Sequence, residues 1–162
     1  MLNYFAVLRW IARQPQGKRI TVDGILRLHR FVTTGLLPST QVGAFKRSRN
    51  VIMSAGRVVY ESPGPGAAAP GTEALAQWLE AATRATHPII ASACAHYEIA
   101  RLHPFLDGNG RVARALATWV LYHRGFDTQH LFAVDQYFKE DHEGYYQALQ
   151  RVHKESEDLT SW

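Results

Sequence analysis

The sequence HPFLDGNGRVAR, residues 103–114, decides how the rest of this chain is interpreted. It places one histidine, one carboxylate, two glycines and two arginines within twelve positions. Dense glycine and asparagine are typical of a loop, but apolar residues at helical spacing lie on both sides. Pro104 should end the first helix, because proline disfavours helical geometry in the residue before it. The stretch therefore predicts two helices joined by a loop that carries reactive groups.

The apolar spacing along the whole chain predicts an all-α fold, a helical bundle with one small inserted β-hairpin. Helices are predicted over residues 2–14, 21–35, 72–86, 88–102 and 110–123, and from Asp135 onward. The hairpin is predicted from two β-rich runs, 51–53 and 58–60, around the turn SAG. The Pro- and Gly-rich residues 61–73 are predicted to form a loop. A single domain spanning 1–162 is expected, with a longer parent chain left open.

Composition limits the classes of function. No apolar run is long enough to cross a bilayer, and the lone Cys94 excludes an internal disulfide and a cysteine-based zinc site. A cytoplasmic protein without a membrane partner is expected. The net charge of +4 attracts nucleic acids and phosphorylated molecules alike, but no nucleic-acid-binding motif appears, so no nucleic-acid partner is expected. The basic cluster KRSR, residues 46–49, is predicted to be a solvated turn.

The glycines of the central stretch predict an anion-binding loop. Gly108 and Gly110 permit positive φ, so successive N–H groups can turn toward one bound anion. The helix that follows adds its free N–H groups and the positive end of its dipole. Arg111 and Arg114 are three residues apart, so their side chains should point within about 60° of each other. Paired guanidinium groups suit neighbouring phosphates, and the pattern predicts a polyphosphate site.

A carboxylate and a histidine flank this loop. Asp107 would repel phosphates unless a cation intervened, and Mg²⁺ held by one carboxylate plus phosphate oxygens is the usual arrangement. The alternative is that Asp107 or Asn109 caps the following helix. His103 should point across the loop and, when neutral, can act as a general base on a hydroxyl; the alternative is a structural role. His96 is expected to face the core.

These residues resemble the motif of Fic-domain proteins, H-x-F-x-[DE]-G-N-G-R-x-x-R, which the chain matches at every fixed position. The segments LHRFV, GAFKRSRNVIM, VVYESPG and GYYQALQ resemble flanking family segments in the right order. The resemblance implies the Fic fold and a protein adenylyltransferase. Such an enzyme moves AMP from ATP to a Tyr, Ser or Thr hydroxyl of a target protein and releases pyrophosphate.

The resemblance also implies a role for the residues at the front of the motif. His103 would be the base that deprotonates the attacking hydroxyl, and Phe105 would anchor the loop in the core. Asp107 would hold Mg²⁺ against the α- and β-phosphates of ATP. Asn109 would contact the α-phosphate.

The remaining implied contacts concern the nucleotide and the target. Main-chain amides of Gly108 and Gly110 would form the anion hole, and Arg111 and Arg114 would hold the β- and γ-phosphates. The hairpin would be the family's flap, which pairs with an extended segment of the target. Its first strand and the aromatic pair near the adenosine complete the predicted site: Val51, Ile52, Met53, Ser54, Tyr145 and Tyr146. The alternative for the two tyrosines is ordinary aromatic packing.

Two features of the family stay open in this sequence. Many relatives carry an inhibitory helix, [ST]-x-x-x-E-[GN], but no Ser or Thr here is followed by Glu four positions later. The inhibitory helix is then absent, upstream of this chain, or on a partner such as an antitoxin, and the chain as given is expected to be uninhibited. A homo-oligomer is also left open. The related Doc kinases carry lysine where this chain has Gly110, which disfavours a kinase. Transfer of UMP, GMP or phosphocholine, or a non-catalytic role as an interaction module, is left open as well.

Overall fold

The computed structural model describes residues 2–54, 56–82 and 85–126, together with the single positions 144, 147, 148, 151 and 152. The described part is a helical bundle with one hairpin, so the predicted all-α fold with an inserted hairpin is confirmed. Of the predicted helix after Asp135, the structure describes only the positions 144, 147, 148, 151 and 152, which are helical, and Tyr145 and Tyr146 lie outside the described residues. The elements are α1 Leu2–Ala12, α2 Val22–Thr33, β1 Val51–Ser54, β2 Arg57–Glu61, α3 Ala68–Ala81, α4 Pro88–Leu102 and α5 Asn109–His123.

Helix α5 lies at the centre of the bundle and packs against α4, α2 and α1. It is buried on almost every side from Val112 to Leu121, where all residues except Arg114 and Thr118 are apolar. Gly24 of α2 shows how closely the helices approach, because a Cβ there would lie 2.6 Å from the Trp119 ring. This close packing lies in the second half of α5, whereas the glycine-rich loop ends at its start, Asn109. Within the described ranges, no helix is long and apolar enough to cross a bilayer.

Helix α3 begins earlier than the sequence predicts. A loop is predicted over residues 61–73, but a short 3₁₀ turn at Pro65–Ala67 leads directly into α3 at Ala68. Proline is tolerated in the first turn of a helix, because the N–H that it lacks has no helical partner there. Gly71 then lets α3 approach α4, since a Cβ would lie 2.8 Å from Leu102. The loop prediction is therefore wrong from residue 65 onward.

The hairpin is a two-stranded antiparallel ribbon with a register irregularity between Ile52 and Met53. Tyr60, paired with Ile52, donates its hydroxyl to the main-chain oxygen of Arg101 in α4 at 2.6 Å. The opposite face is apolar and open, with side chains that are about half exposed. This face carries Val51, Met53 and Val58. The hairpin thus rests on α4 through one face and presents the other outward.

The prediction of a solvated turn at residues 46–49 is wrong for Lys46. Arg47, Ser48 and Arg49 are exposed, and Arg49 pairs with Glu61 of β2 at 2.7 Å. Lys46 is only 4% exposed and points its ammonium group into the protein. A lysine can be buried when its N–H groups find acceptors, which charge and spacing in the sequence do not reveal.

The prediction that His96 faces the core is confirmed, and it has a consequence for stability. His96 is 2% exposed, and burial, helped by the charge of Arg114, lowers its pKa to about 3. Below pH 6.5, His96 therefore binds a proton in the unfolded chain but stays neutral in the folded chain. Stability due to neutral His96 is fully present above pH 6.5 and is lost as pH falls toward 3. The loss is about 1.4 kcal/mol per pH unit.

Urea unfolding near pH 6.5 and near pH 5 checks this expectation. The wild type should lose about 2 kcal/mol more than His96→Gln over that interval, because glutamine does not titrate. His87→Gln is the matched control, since it makes the same replacement at an exposed histidine. Equal pH dependence in wild type and His96→Gln would contradict the assignment.

Candidate active site

The loop between α4 and α5 is anchored by a stack of three rings. Phe105 is fully buried, and its ring lies parallel to the His29 ring with centroids 4.0 Å apart. On the same stack, Phe45 lies 5.9 Å from Phe105 at an interplanar angle of 6°. An aromatic ring buried in this way fixes the loop through packing area as well as ring geometry. The expectation that Phe105 anchors the loop agrees with this position.

Asn109 closes the loop through its side chain. Its Oδ1 accepts from the Phe105 N–H at 3.0 Å, and its Nδ2 donates to the Phe105 main-chain oxygen at 2.8 Å. The helix N-cap is Gly108, without a side-chain capping bond, so neither Asp107 nor Asn109 caps α5. The capping alternative is therefore wrong. Asn109 is 3% exposed, and its predicted contact with the α-phosphate stays a prediction.

Gly108 occupies a position that other residues would fit poorly. Its φ is +81°, in the left-handed region, and a Cβ would lie 2.9 Å from Thr33 Cγ2. Its N–H donates to Oδ1 of Asp107 at 2.5 Å. An anionic ligand could accept the Gly108 N–H in place of the Asp107 carboxylate. The prediction of a positive φ is confirmed at Gly108 and wrong at Gly110, which already lies in the first turn of α5.

Both arginines turn back over the first turn of α5. Arg111 donates to the Val32 main-chain oxygen at 2.7 Å, and its other terminal nitrogen lies 3.4 Å from Asp107 Oδ2. A Cβ built on Gly110 would lie 3.5 Å from a terminal nitrogen of Arg114. The two guanidinium groups thus lie beside the two glycines of the motif. This region is positively charged and faces solvent through the partly exposed Arg111 and Arg114.

His103 follows the last residue of α4 in a left-handed conformation, with φ +46° and ψ +56°. It is the only non-glycine residue with positive φ in the described part of the chain. Helix α4 ends at Leu102 as predicted, although the residue before Pro104 is left-handed rather than extended. Such conformations in a non-glycine residue are costly and occur preferentially at functional sites. The turn carries the partly buried ring out of the helical path.

The hydrogen bonding of the His103 ring identifies its tautomer. Nδ1 lies 2.7 Å from the main-chain oxygen of Ala100, and a carbonyl oxygen can only accept, so Nδ1 carries the proton. Nε2 then keeps its lone pair. Burial lowers the pKa of His103 and the charge of Lys46 adds to this, against the Ala100 carbonyl and Asp107, which raise it. A neutral ring with a free Nε2 is the form that a general base needs.

His29 is a site residue that sequence reasoning missed. The Gly43 N–H donates to its Nδ1 at 2.9 Å, so Nε2 carries the proton and donates to the Asp107 main-chain oxygen at 3.1 Å. Burial, as the largest cause, lowers the pKa of His29 and favours this neutral form. His29 joins α2 to the motif loop. Its segment, LHRFV, carries only a resemblance to a family segment, and no local pattern predicts a contact across 78 positions.

The predicted Mg²⁺ ligand is compatible with its position. The Asp107 side chain is 62% exposed beside the two arginines. No group of three potential metal ligands occurs among the residues that the structure describes. A single accessible carboxylate suits an ion that arrives with phosphate oxygens, because Mg²⁺ usually retains waters and substrate oxygens. It does not suit an ion held by protein ligands alone.

The structure brings most of the predicted residues together. His103 and the residues 107–111 and 114 belong to one loop and the first two turns of one helix. The hairpin strand 51–54 joins them through its base, where Asn50 donates to the Phe105 main-chain oxygen at 2.8 Å. Tyr145 and Tyr146 lie outside the described part of the chain. The roles of all these residues stay predictions.

Comparisons with known proteins show which family this chain resembles in sequence and in fold. The family model described as "Fic/DOC family" matches residues 19–121. The "Protein adenylyltransferase Fic" of Drosophila yakuba is 38% identical over 108 residues, which is 66% of this chain and 21% of that relative. Its counterpart in Drosophila ananassae is 37% identical over 112 residues, 68% of this chain and 21% of the relative. The chain spans about a fifth of the length of these curated relatives.

Solved structures extend the similarity to nearly the whole chain. A Fic domain containing signaling protein from Bacteroides thetaiotaomicron matches with a TM-score of 0.79 and 27% identity, covering 99% of this chain and 58% of that one. A Fic family protein from Desulfovibrio desulfuricans has a TM-score of 0.80 over 99% of this chain and 46% of its own, with 24% identity, which bears on the fold alone.

Proposed function

This chain belongs to the Fic/DOC family, and from that premise we propose that it is a protein adenylyltransferase. It would transfer AMP from ATP to a Tyr, Ser or Thr hydroxyl of a target protein. The observation that carries the proposal is His103, whose Nδ1 donates to Ala100 and whose Nε2 keeps a lone pair, at the start of the loop that leads to Arg111 and Arg114. The activity for which the Drosophila relatives are named supports the choice of AMP.

In the proposed reaction, residues of the motif act on the target hydroxyl and on the phosphates of ATP. Nε2 of His103 takes the proton of the target hydroxyl, and the hydroxyl oxygen bonds to the α-phosphorus of ATP. The bond from that phosphorus to the oxygen bridging the β-phosphate breaks, and pyrophosphate leaves. Arg111 and Arg114 would hold the departing phosphates, where their charge offsets the charge that develops on the leaving group.

The loop supplies the remaining contacts of the proposal. Main-chain amides of Gly108 and Gly110 would face the phosphates, and Asn109 would keep the loop closed beside the α-phosphate. Asp107 would hold Mg²⁺, which neutralises phosphate charge when bound. Strand β1 would align an extended target segment by main-chain bonds, a mode that sets register and reads few side chains. Tyr145 and Tyr146 are proposed for the adenosine end, and a cytoplasmic location stays a prediction.

Labelled ATP tests the proposal. We expect incubation of the chain with Mg²⁺ and a cell lysate to label protein from the α-phosphate of ATP and not from the γ-phosphate. Mass spectrometry should then place AMP on a hydroxyl side chain. Label from the γ-phosphate alone would indicate a kinase, and label from UTP or GTP in preference to ATP would change the proposed nucleotide. No transfer from any of them, with ATP binding absent as well, would refute the enzyme assignment.

A further inference from the structure

Lys46 is a buried cation whose bonds are all made to neutral oxygens. Its Nζ donates to Asn50 Oδ1 at 2.9 Å, to Ser62 Oγ at 2.7 Å and to the Leu102 main-chain oxygen at 3.3 Å. Three acceptors use all three N–H groups of an ammonium. Among the residues that the structure describes, no carboxylate forms an ion pair with Lys46.

Two of these acceptors stand at the two ends of the hairpin. Asn50 directly precedes β1 and Ser62 directly follows β2. The two also bond to each other, since the Ser62 hydroxyl and N–H both lie within bonding distance of the Asn50 main-chain oxygen, at 2.9 and 3.3 Å. Lys46 therefore bonds to the residues at both ends of the hairpin, where its two strands leave the helical bundle.

The same cluster bonds to the chain on both sides of His103. Lys46 reaches the Leu102 oxygen through Nζ and the Pro104 oxygen through its own N–H, at 2.9 Å. Asn50 reaches the Phe105 oxygen through Nδ2 at 2.8 Å. Residues 102, 104 and 105 are thus tied to the hairpin base, and His103 lies between them.

Burying an ammonium group without a counter-ion costs free energy, so we expect Lys46 to have a role other than stabilising the fold. The directional bonds supply one, because they fix the distance between the hairpin and the loop far more tightly than apolar packing would. We propose that Lys46 is a positioning residue that holds the hairpin in fixed register with His103. This inference rests on the proposed function, in which the hairpin delivers the target hydroxyl to that histidine.

The electrostatics of the cluster agree with this role. The charged groups that act on the His103 ring are Lys46, from the segment before β1, and Asp107, from the motif loop. Burial lowers the pKa of Lys46 itself, the expected effect of removing an ammonium from water. A cation held beside the base favours the neutral ring, which is the form that accepts a proton.

The test compares Lys46→Met with Lys46→Arg. Methionine keeps an unbranched stem and removes every donor, whereas arginine restores a cation with several donors. Arg49→Met is the matched control, because Arg49 belongs to the same basic run and bonds to the hairpin at its exposed surface. ATP affinity, target-dependent kinetics and amide hydrogen exchange of residues 50–62 are measured for each.

In Lys46→Met we expect amide exchange in the hairpin to become about tenfold faster. The KM for the target should rise or kcat should fall by roughly tenfold or more, while the Kd for ATP stays within about twofold of wild type. Lys46→Arg should recover part of the loss, and Arg49→Met should match wild type in all three measurements.

Two outcomes would overturn the proposal. Unchanged hairpin exchange in Lys46→Met would show that Lys46 does not hold the hairpin, and this readout needs no catalysis. An equal loss of ATP affinity and target kinetics would show a general structural role. Absence of labelling in the wild type would instead count against the proposed function, so the two failures are distinguishable.

Discussion

The His103→Asn variant should lose AMP transfer by roughly 10²- to 10⁴-fold while retaining ATP binding, because removing a general base has effects of that size. Asparagine is chosen over alanine since it tolerates the left-handed conformation that His103 adopts. Its amide can also donate a hydrogen bond, but it has no lone pair basic enough to take the hydroxyl proton. The transfer rate at saturating ATP measures the loss of AMP transfer, and the Kd for ATP shows whether ATP binding is retained.

His87→Asn is the control for this variant. His87 stands at the opposite end of α4, where its Nδ1 accepts from the Ile89 N–H, and it is exposed. Asparagine also serves at helix N-caps, so this change should leave both transfer and ATP binding near wild type. Transfer within about tenfold of wild type in His103→Asn would be too small an effect for a general base and would remove His103 from the proposed chemistry.

The motif loop could be predicted from sequence because its information is local. Pro104 ends one helix, Gly108 permits the left-handed turn, and Arg111 and Arg114 share one face of the next helix. Each of these follows from the residue itself or from helical spacing, and the structure places them accordingly. The start of α3 could not be predicted in this way, because proline is typical of loops and also fits the first turn of a helix.

The contacts that support the site are beyond the reach of local patterns. His29 and Lys46 are polar residues whose partners lie 78 and 56 positions away along the chain. In sequence the first is one histidine on an amphipathic helix and the second is one charge in a basic run. Their importance arises from burial and from the acceptors that the fold brings to them. Pattern and spacing describe a site's reactive groups better than the residues that hold those groups in place.

The second large effect is expected at Gly108. In Gly108→Ala the new methyl group must occupy a left-handed residue, which costs about 1–2 kcal/mol. It must also fit 2.9 Å from Thr33 Cγ2, and Thr33 is fully buried, with its hydroxyl bonded to the His29 main-chain oxygen at 2.6 Å. Thr33 cannot yield easily, so the loop should shift instead. Transfer should fall by about 10²-fold or more, the usual effect of a displacement near 1 Å in a catalytic loop.

The variant Gly125→Ala separates the cost of the left-handed conformation from the cost of overpacking against Thr33. Gly125 also has a positive φ, +67°, but a Cβ there would meet no atom within 4 Å, and it lies beyond the opposite end of α5. Both variants carry the conformational cost, so both should lose about 1–2 kcal/mol of unfolding free energy in urea. Only Gly108→Ala should lose more than this from overpacking and lose transfer as well. Equal activity in the two variants would mean that the left-handed turn at Gly108 tolerates a side chain, and that the anion-binding role of its main chain has been placed wrongly.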